Sequence, residues 1–226
     1  MACASYPVCD NPSAMLSGLL RVLIIGLVLL VAVMFWLPRP ARLAPTAVAT
    51  VLPQTVALPQ IELIDHNGQR FTLDQLRGRF SLLFFGFTNC PDVCPLTLKV
   101  LADTRAAIVQ RAPTLDPTVV FVSVDGRRDT PERIASYLQS FDTTFIGATG
   151  SDEALAPLLK TLGVTVERHG HGGENYNVVH NSTVFVVGPQ AEWIALSSAP
   201  HDPATIAADY VKVRRLYAAA HRTPAA

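Results

Sequence analysis

The sequence predicts an α/β protein: a central mixed sheet flanked by helices, preceded by one transmembrane helix. Three observations carry this. Strand-like runs alternate with helical periodicities from residue 61 to residue 219. A strongly apolar strand runs directly into a Cys-x-x-x-Cys element at a helix start. An apolar stretch at residues 15–37 is long enough to cross a bilayer.

The 226 residues allow one domain of ordinary size plus an appendage. Eighteen basic and eighteen acidic residues give zero formal charge, so nothing points to a nucleic-acid partner. Residues 1–14 form an N-terminal tail. Residues 15–37 are apolar apart from Ser17 and Arg21, and at 1.5 Å per residue they exceed the ~30 Å of a bilayer core. Arg21 can snorkel to one interface and Trp36 can sit at the other. Bulky Met34-Phe-Trp-Leu37 stands where a signal peptase needs small residues, so an uncleaved anchor is expected. Arg39 and Arg42 after the span keep the positive-inside rule from selecting an orientation. Cys3 and Cys9 lie across the membrane from the other cysteines and receive no role. Residues 38–60, with five prolines, read as a semi-extended tether. The folded domain then occupies 61–219, with a tail at 220–226.

Ile61–Ile64 and Arg70–Thr72 read as a hairpin around Asn67-Gly68, with His66 a solvated turn residue. Ser81–Phe87 is a buried central strand, and Pro95 to about Ala112 a helix. Thr118–Val124 is a second buried strand. Thr130 before Pro131 caps the next helix, whose core face is Ile134, Tyr137, Leu138 and Phe141. A short strand at 145–148 precedes a helix capped by Ser151 and closed by Gly163. Paired strands follow at 164–167 and 176–179, then a hairpin of 183–187 with 192–196. Asp202 caps a last helix reaching about Ala219. The strand–Cys–helix start and the closing hairpin plus helix suggest a thioredoxin-like architecture enlarged by an early hairpin and a mid-chain insertion.

Cys90 and Cys94 are bracketed by Pro91 and Pro95. Unpaired N–H groups and the macrodipole at a helix N-terminus favour thiolate, the form that attacks disulfides and binds soft metals. Residues four apart share a helix face, so both sulfurs can meet one ion or close to a disulfide. Two buried core cysteines are the plainer alternative. Among the histidines, His180 stands out because it immediately precedes the apolar strand at 183–187, whose entering loop faces the Cys motif in thioredoxin-like folds. His169 and His171 sit in a glycine-rich loop and read as surface residues, as do His201 and His221. Two thiolates and an imidazole suit Cu(I), and accept Cu(II) with a rearranged or added ligand. Zinc would want a second cysteine pair.

Four stretches resemble the Sco/SenC family of copper-binding, thioredoxin-like assembly factors for cytochrome c oxidase. They are Gly86–Pro95 (GFTNCPDVCP), Ser123–Glu132 (SVDGRRDTPE), Tyr176–His180 (YNVVH) and Val186–Pro189 (VVGP). With the anchor, the resemblance spans about residues 15 to 215. It implies a single-pass bacterial inner-membrane protein with its domain on the periplasmic side. It implies Cys90, Cys94 and His180 as copper ligands, with His180 where thioredoxins carry their cis-proline. Copper would pass to the dinuclear copper site of oxidase subunit II, and a periplasmic copper donor or thiol reductant would serve the protein. Asp125 would order its loop or support a ligand from behind. Three departures stand out: Gly126 replaces a commoner proline and should loosen its loop, Asn181 follows His180, and an insert occupies 169–173.

Two functions follow. One is a copper chaperone; the other is a thiol-disulfide oxidoreductase using Cys90 and Cys94 as its redox pair. His180 separates them, since only a copper site needs it. A peroxiredoxin is disfavoured: Thr88 is two residues before Cys90, not three, and Phe84 stands where that family has proline.

Overall fold

The structure, a computed structural model, describes residues 21, 23–30, 47–169, 177–180 and 182–221, with only the backbone at 169 and 177–180. The chain divides into two units, 1–42 and 43–226. In the first, residues 21 and 23–30 are helical, and Leu23 through Leu30 expose their apolar side chains. The rest of the expected anchor, with Cys3 and Cys9, lies outside the described residues. Among the described residues, no helix is long and apolar enough to cross a membrane.

The second unit is built on an eight-stranded sheet of order β1-β10-β9-β4-β5-β6-β2-β3. Its strands are β1 Ala49–Ala57, β2 Leu63–Asp65, β3 Arg70–Phe71, β4 Ser81–Gly86, β5 Thr118–Ser123, β6 Ile146–Thr149, β9 Val184–Val187 and β10 Glu192–Ser197. β4, β5 and β6 run parallel, and β9 lies antiparallel to β4. All six residues of β4 and all four of β9 are buried. Alternate side chains point to opposite faces, so both faces of the central sheet are covered. The covering helices are α1 Val93–Arg111, α2 Pro131–Leu138, α3 Asp152–Leu162 and α4 Pro203–Ala220. α1 packs with α4, and α2 packs on β6. The remaining strands, β7 Val166–His169 and β8 Asn177–His180, form a separate antiparallel pair.

The helix ends obey local chemistry. Thr130, Ser151 and Asp202 accept the N–H groups of Arg133, Ala154 and Thr205 at 3.3, 3.2 and 2.8 Å. Gly163 closes α3 in the left-handed region, at φ 66°, where a side chain would be strained.

The tether expected at 38–60 is corrected in its second half. Residues 49–57 form the sheet's edge strand, paired antiparallel with β10, and Leu58 and Ile61 join the core. Pro53 is tolerated because an edge strand leaves one row of N–H groups unpaired. The start of β1 is fixed by Asp209 of α4, whose carboxylate accepts the N–H groups of Ala47, Val48 and Ala49 at 2.8, 2.8 and 2.9 Å. Burial alone would raise the Asp209 carboxyl, but these three donors outweigh it and hold it below its ordinary range. His66 is also more engaged than a solvated turn residue. It is half-buried, and its Nδ1 accepts the Gly147 N–H at 3.0 Å, tying the hairpin to β6.

Candidate metal centre

β4 ends at Gly86, and the next six residues carry the chain over the sheet's end into α1. α1 begins at Val93, two residues earlier than Pro95, which therefore sits in the first turn where proline costs no hydrogen bond. Cys90 lies just before the helix and Cys94 within its first turn. The side chain of Asp92 makes no capping bond. Instead the Cys90 sulfur accepts the Cys94 N–H at 3.3 Å and does the capping. The structure thus brings both sulfurs together at the helix tip, with no disulfide between them.

Their environments differ. Cys90 is half-buried and Cys94 fully buried. Burial pushes the Cys94 thiol well above its ordinary range, helped by the hydrogen bond that its S–H donates to the Cys90 sulfur. At Cys94, burial works against the thiolate that the helix terminus is expected to favour. Gly86 makes the burial possible. A Cβ on Gly86 would stand 3.0 Å from the Cys94 sulfur and 2.7 Å from the Phe121 ring.

A polar cluster holds the cysteine segment from below. Asp129, buried in the β5–α2 connection, accepts the Thr88 N–H at 2.8 Å, the Thr88 hydroxyl at 2.6 Å and the Ser123 hydroxyl at 2.6 Å. Arg133 of α2 donates to the Thr88 hydroxyl at 2.8 Å and to the Asn89 side chain. Asp125, also buried, orders the same connection through its backbone carbonyl, which accepts the Arg128 and Asp129 N–H groups at 3.0 and 2.9 Å, and through its carboxylate against Arg128. The loop-ordering role expected of Asp125 is what its contacts show. Asp129 and Arg133 were missed, although Asp129 lies inside the Ser123–Glu132 motif. The loosening expected of Gly126 is not found: a Cβ there would lie 2.2 Å from the Gly150 carbonyl oxygen, so the connection is tightly packed.

His180 ends β8, and its side chain lies outside the described residues, as do His171 and the side chain of His169. Topology still constrains its neighbourhood. Phe84 near the end of β4 pairs with Val184 at the start of β9. Chain arriving from His180 therefore enters the sheet at the end where β4 releases the cysteine segment. His201 fixes this arrival: its ring Nε2 donates to the Ser182 carbonyl at 2.6 Å. It is half-buried, not solvated as expected; His221 is exposed and stacks on Tyr217. Among the described residues no group of three or more His, Cys, Asp or Glu side chains is arranged to hold a metal.

Comparison with known proteins agrees with this architecture. The family model described as SCO1/SenC matches residues 52–215. A protein of Stutzerimonas stutzeri named "Putative copper-binding protein" is 37% identical over 147 residues, 62% of this chain and 68% of that one. The solved structure of Arabidopsis thaliana ScoI with copper bound is 30% identical, with a TM-score of 0.67 over 72% of this chain and all of that one. Apo Sco1 from Thermus thermophilus, solved in solution, is 32% identical, with a TM-score of 0.66 over 78% of this chain and 99% of that one. A matched model spanning most of the chain, with relatives above 30% identity on the same fold, makes this protein a member of the SCO1/SenC family.

Proposed function

We propose that the chain is a membrane-anchored copper chaperone acting in cytochrome c oxidase assembly, delivering copper to the dinuclear site of subunit II. Cys90, Cys94 and His180 are the ligands in this reading. Residues 15–37 anchor it in a bacterial inner membrane, with the domain on the periplasmic side, where a copper donor or thiol reductant serves it. The observation that carries it is the shared sheet end: two sulfurs at the tip of α1, and beside them the start of β9 arriving from His180. The relatives named for copper support the choice of cargo. The donor set fits. Two thiolates and one imidazole match the soft, low-coordinate preference of Cu(I), and Cu(II) takes the same set with a rearranged or added ligand. Binding requires Cys94 to lose a proton that burial holds on, so copper uptake releases protons and seals the thiolate under the metal.

The asymmetry of the pair favours one second reading, a thiol-disulfide oxidoreductase. The more accessible Cys90 would attack a client disulfide and Cys94 would resolve the mixed disulfide. Two electrons pass to the client, its two sulfurs leave as thiols, and an external dithiol reductant restores the pair.

Anaerobic copper loading of the detergent-solubilised full chain decides between them. The chaperone binds one copper per chain, shows thiolate-to-copper charge transfer when oxidised, and loses retention in His180→Ala. Unchanged retention in that variant, with intact reduction of a client disulfide, would overturn the chaperone reading.

A further inference from the structure

Arg133 occupies the third position of α2, within its first turn. A cation there opposes the helix dipole, and position N3 ordinarily favours Glu or Gln. Nothing in α2 itself rewards the choice, and the side chain is 47% exposed. Its contacts lie elsewhere. Nε donates to the Thr88 hydroxyl at 2.8 Å, Nη2 donates to the Asn89 side-chain oxygen, and Nε stands 3.9 Å from Asp129. The Thr88 hydroxyl in turn donates to Asp129. Each arm of the guanidinium thus grips one of the two residues immediately before Cys90, and neither grips Cys90 itself. Asn89 is exposed and Cys90 half-buried; the other restraints on the segment are Asp129 acting through Thr88, the Cys90 N–H donating to the Phe87 carbonyl at 3.3 Å, and the Cys94 N–H donating to the Cys90 sulfur, and none of these holds the Asn89 side chain.

We infer that Arg133 is a positioning residue for Cys90: its planar fork sets where the outer sulfur stands over the tip of α1. Lysine supplies the same charge but a single flexible ammonium, which cannot reach both partners in one plane. The fork, not the charge, is what the inference requires. Its bearing on copper rests on the chaperone reading; its bearing on the Cys90 segment does not.

The test compares Arg133→Ala and Arg133→Lys with wild type in the detergent-solubilised full chain. Amide hydrogen exchange of residues 88–90 should speed up about tenfold in both variants, while the amides of β4 and β5 stay as they were. Iodoacetamide should label Cys90 several-fold faster in both, with Cys94 unchanged. In copper-loaded samples, the charge-transfer band should shift or broaden in both. Denaturant unfolding read on the same samples shows that the variants remain folded, as expected for a half-exposed side chain. Unaltered exchange and labelling in Arg133→Ala would overturn the inference, and so would full rescue by lysine, which would make the effect one of charge. Absence of copper binding in wild type would defeat the chaperone reading alone, because exchange and labelling still decide the role of Arg133.

Discussion

Asp129 accepts both polar groups of Thr88, the backbone N–H and the hydroxyl, and so joins the cysteine segment to the β5–α2 connection across 41 positions of sequence. The carboxylate is wholly enclosed, and Ser123 completes its shell. Removing it strands buried donors, which is costlier than losing a hydrogen bond at the surface. Asp129→Ala should lower the unfolding free energy by about 3 kcal/mol, and Asp129→Asn by less, since the amide oxygen still accepts. Urea denaturation of the three proteins measures this.

The two cysteines should behave as different reagents. Iodoacetamide at neutral pH should modify Cys90 at least about tenfold faster than Cys94, because Cys94 is buried and its proton is held. Raising the pH should narrow the gap. The sign follows from the raised folded value of Cys94: the stabilisation from burying a neutral thiol is complete below the ordinary thiol range and fades as pH climbs through the higher folded value. Mass spectrometry of single Cys→Ser variants distinguishes the sites. Equal rates would show that the inner sulfur is open to solvent.

Gly86→Ala should be harmful out of proportion to its size. The new methyl would press on the Cys94 sulfur and the Phe121 ring, both in a packed interior. About 1–3 kcal/mol of stability should be lost, and copper retention should fall with it, since the inner sulfur is displaced. Thermal unfolding with and without copper separates the two effects.

Asp209 predicts an acid response. Its carboxyl is depressed in the fold by three backbone donors. That stabilisation is present above the unfolded value near 4 and disappears as pH falls through the lower folded value. Wild type should therefore melt higher than Asp209→Asn at pH 7, with the difference shrinking toward pH 3. A difference independent of pH would mean that the charge contributes nothing.

What could be read from the chain was what local chemistry decides. The apolar runs at 81–86 and 184–187, the caps Thr130, Ser151 and Asp202, and the closing Gly163 all lie where their residue types require. The cysteine pair at the tip of α1 was legible for the same reason. Features that depend on distant partners were not. β1 was hidden by Pro53 within it and the prolines on either side, and its anchor Asp209 is 160 or more residues away. Asp129 looked like one acid of a loop until Thr88 was seen against it. The inner thiol's proton depends on depth, which periodicity at a helix start does not report.

The edge strand has a practical consequence for handling the domain. A fragment trimmed to residue 61, where the chain first looks structured, would peel β1 away and leave β10 as a bare border of the sheet. Such a border offers unpaired N–H and carbonyl groups to any neighbouring copy, the usual route to intermolecular strand pairing. Fragments that keep residue 47 onward retain both the covering strand and the Asp209 grip, and should stay monodisperse at concentrations where the shorter ones precipitate.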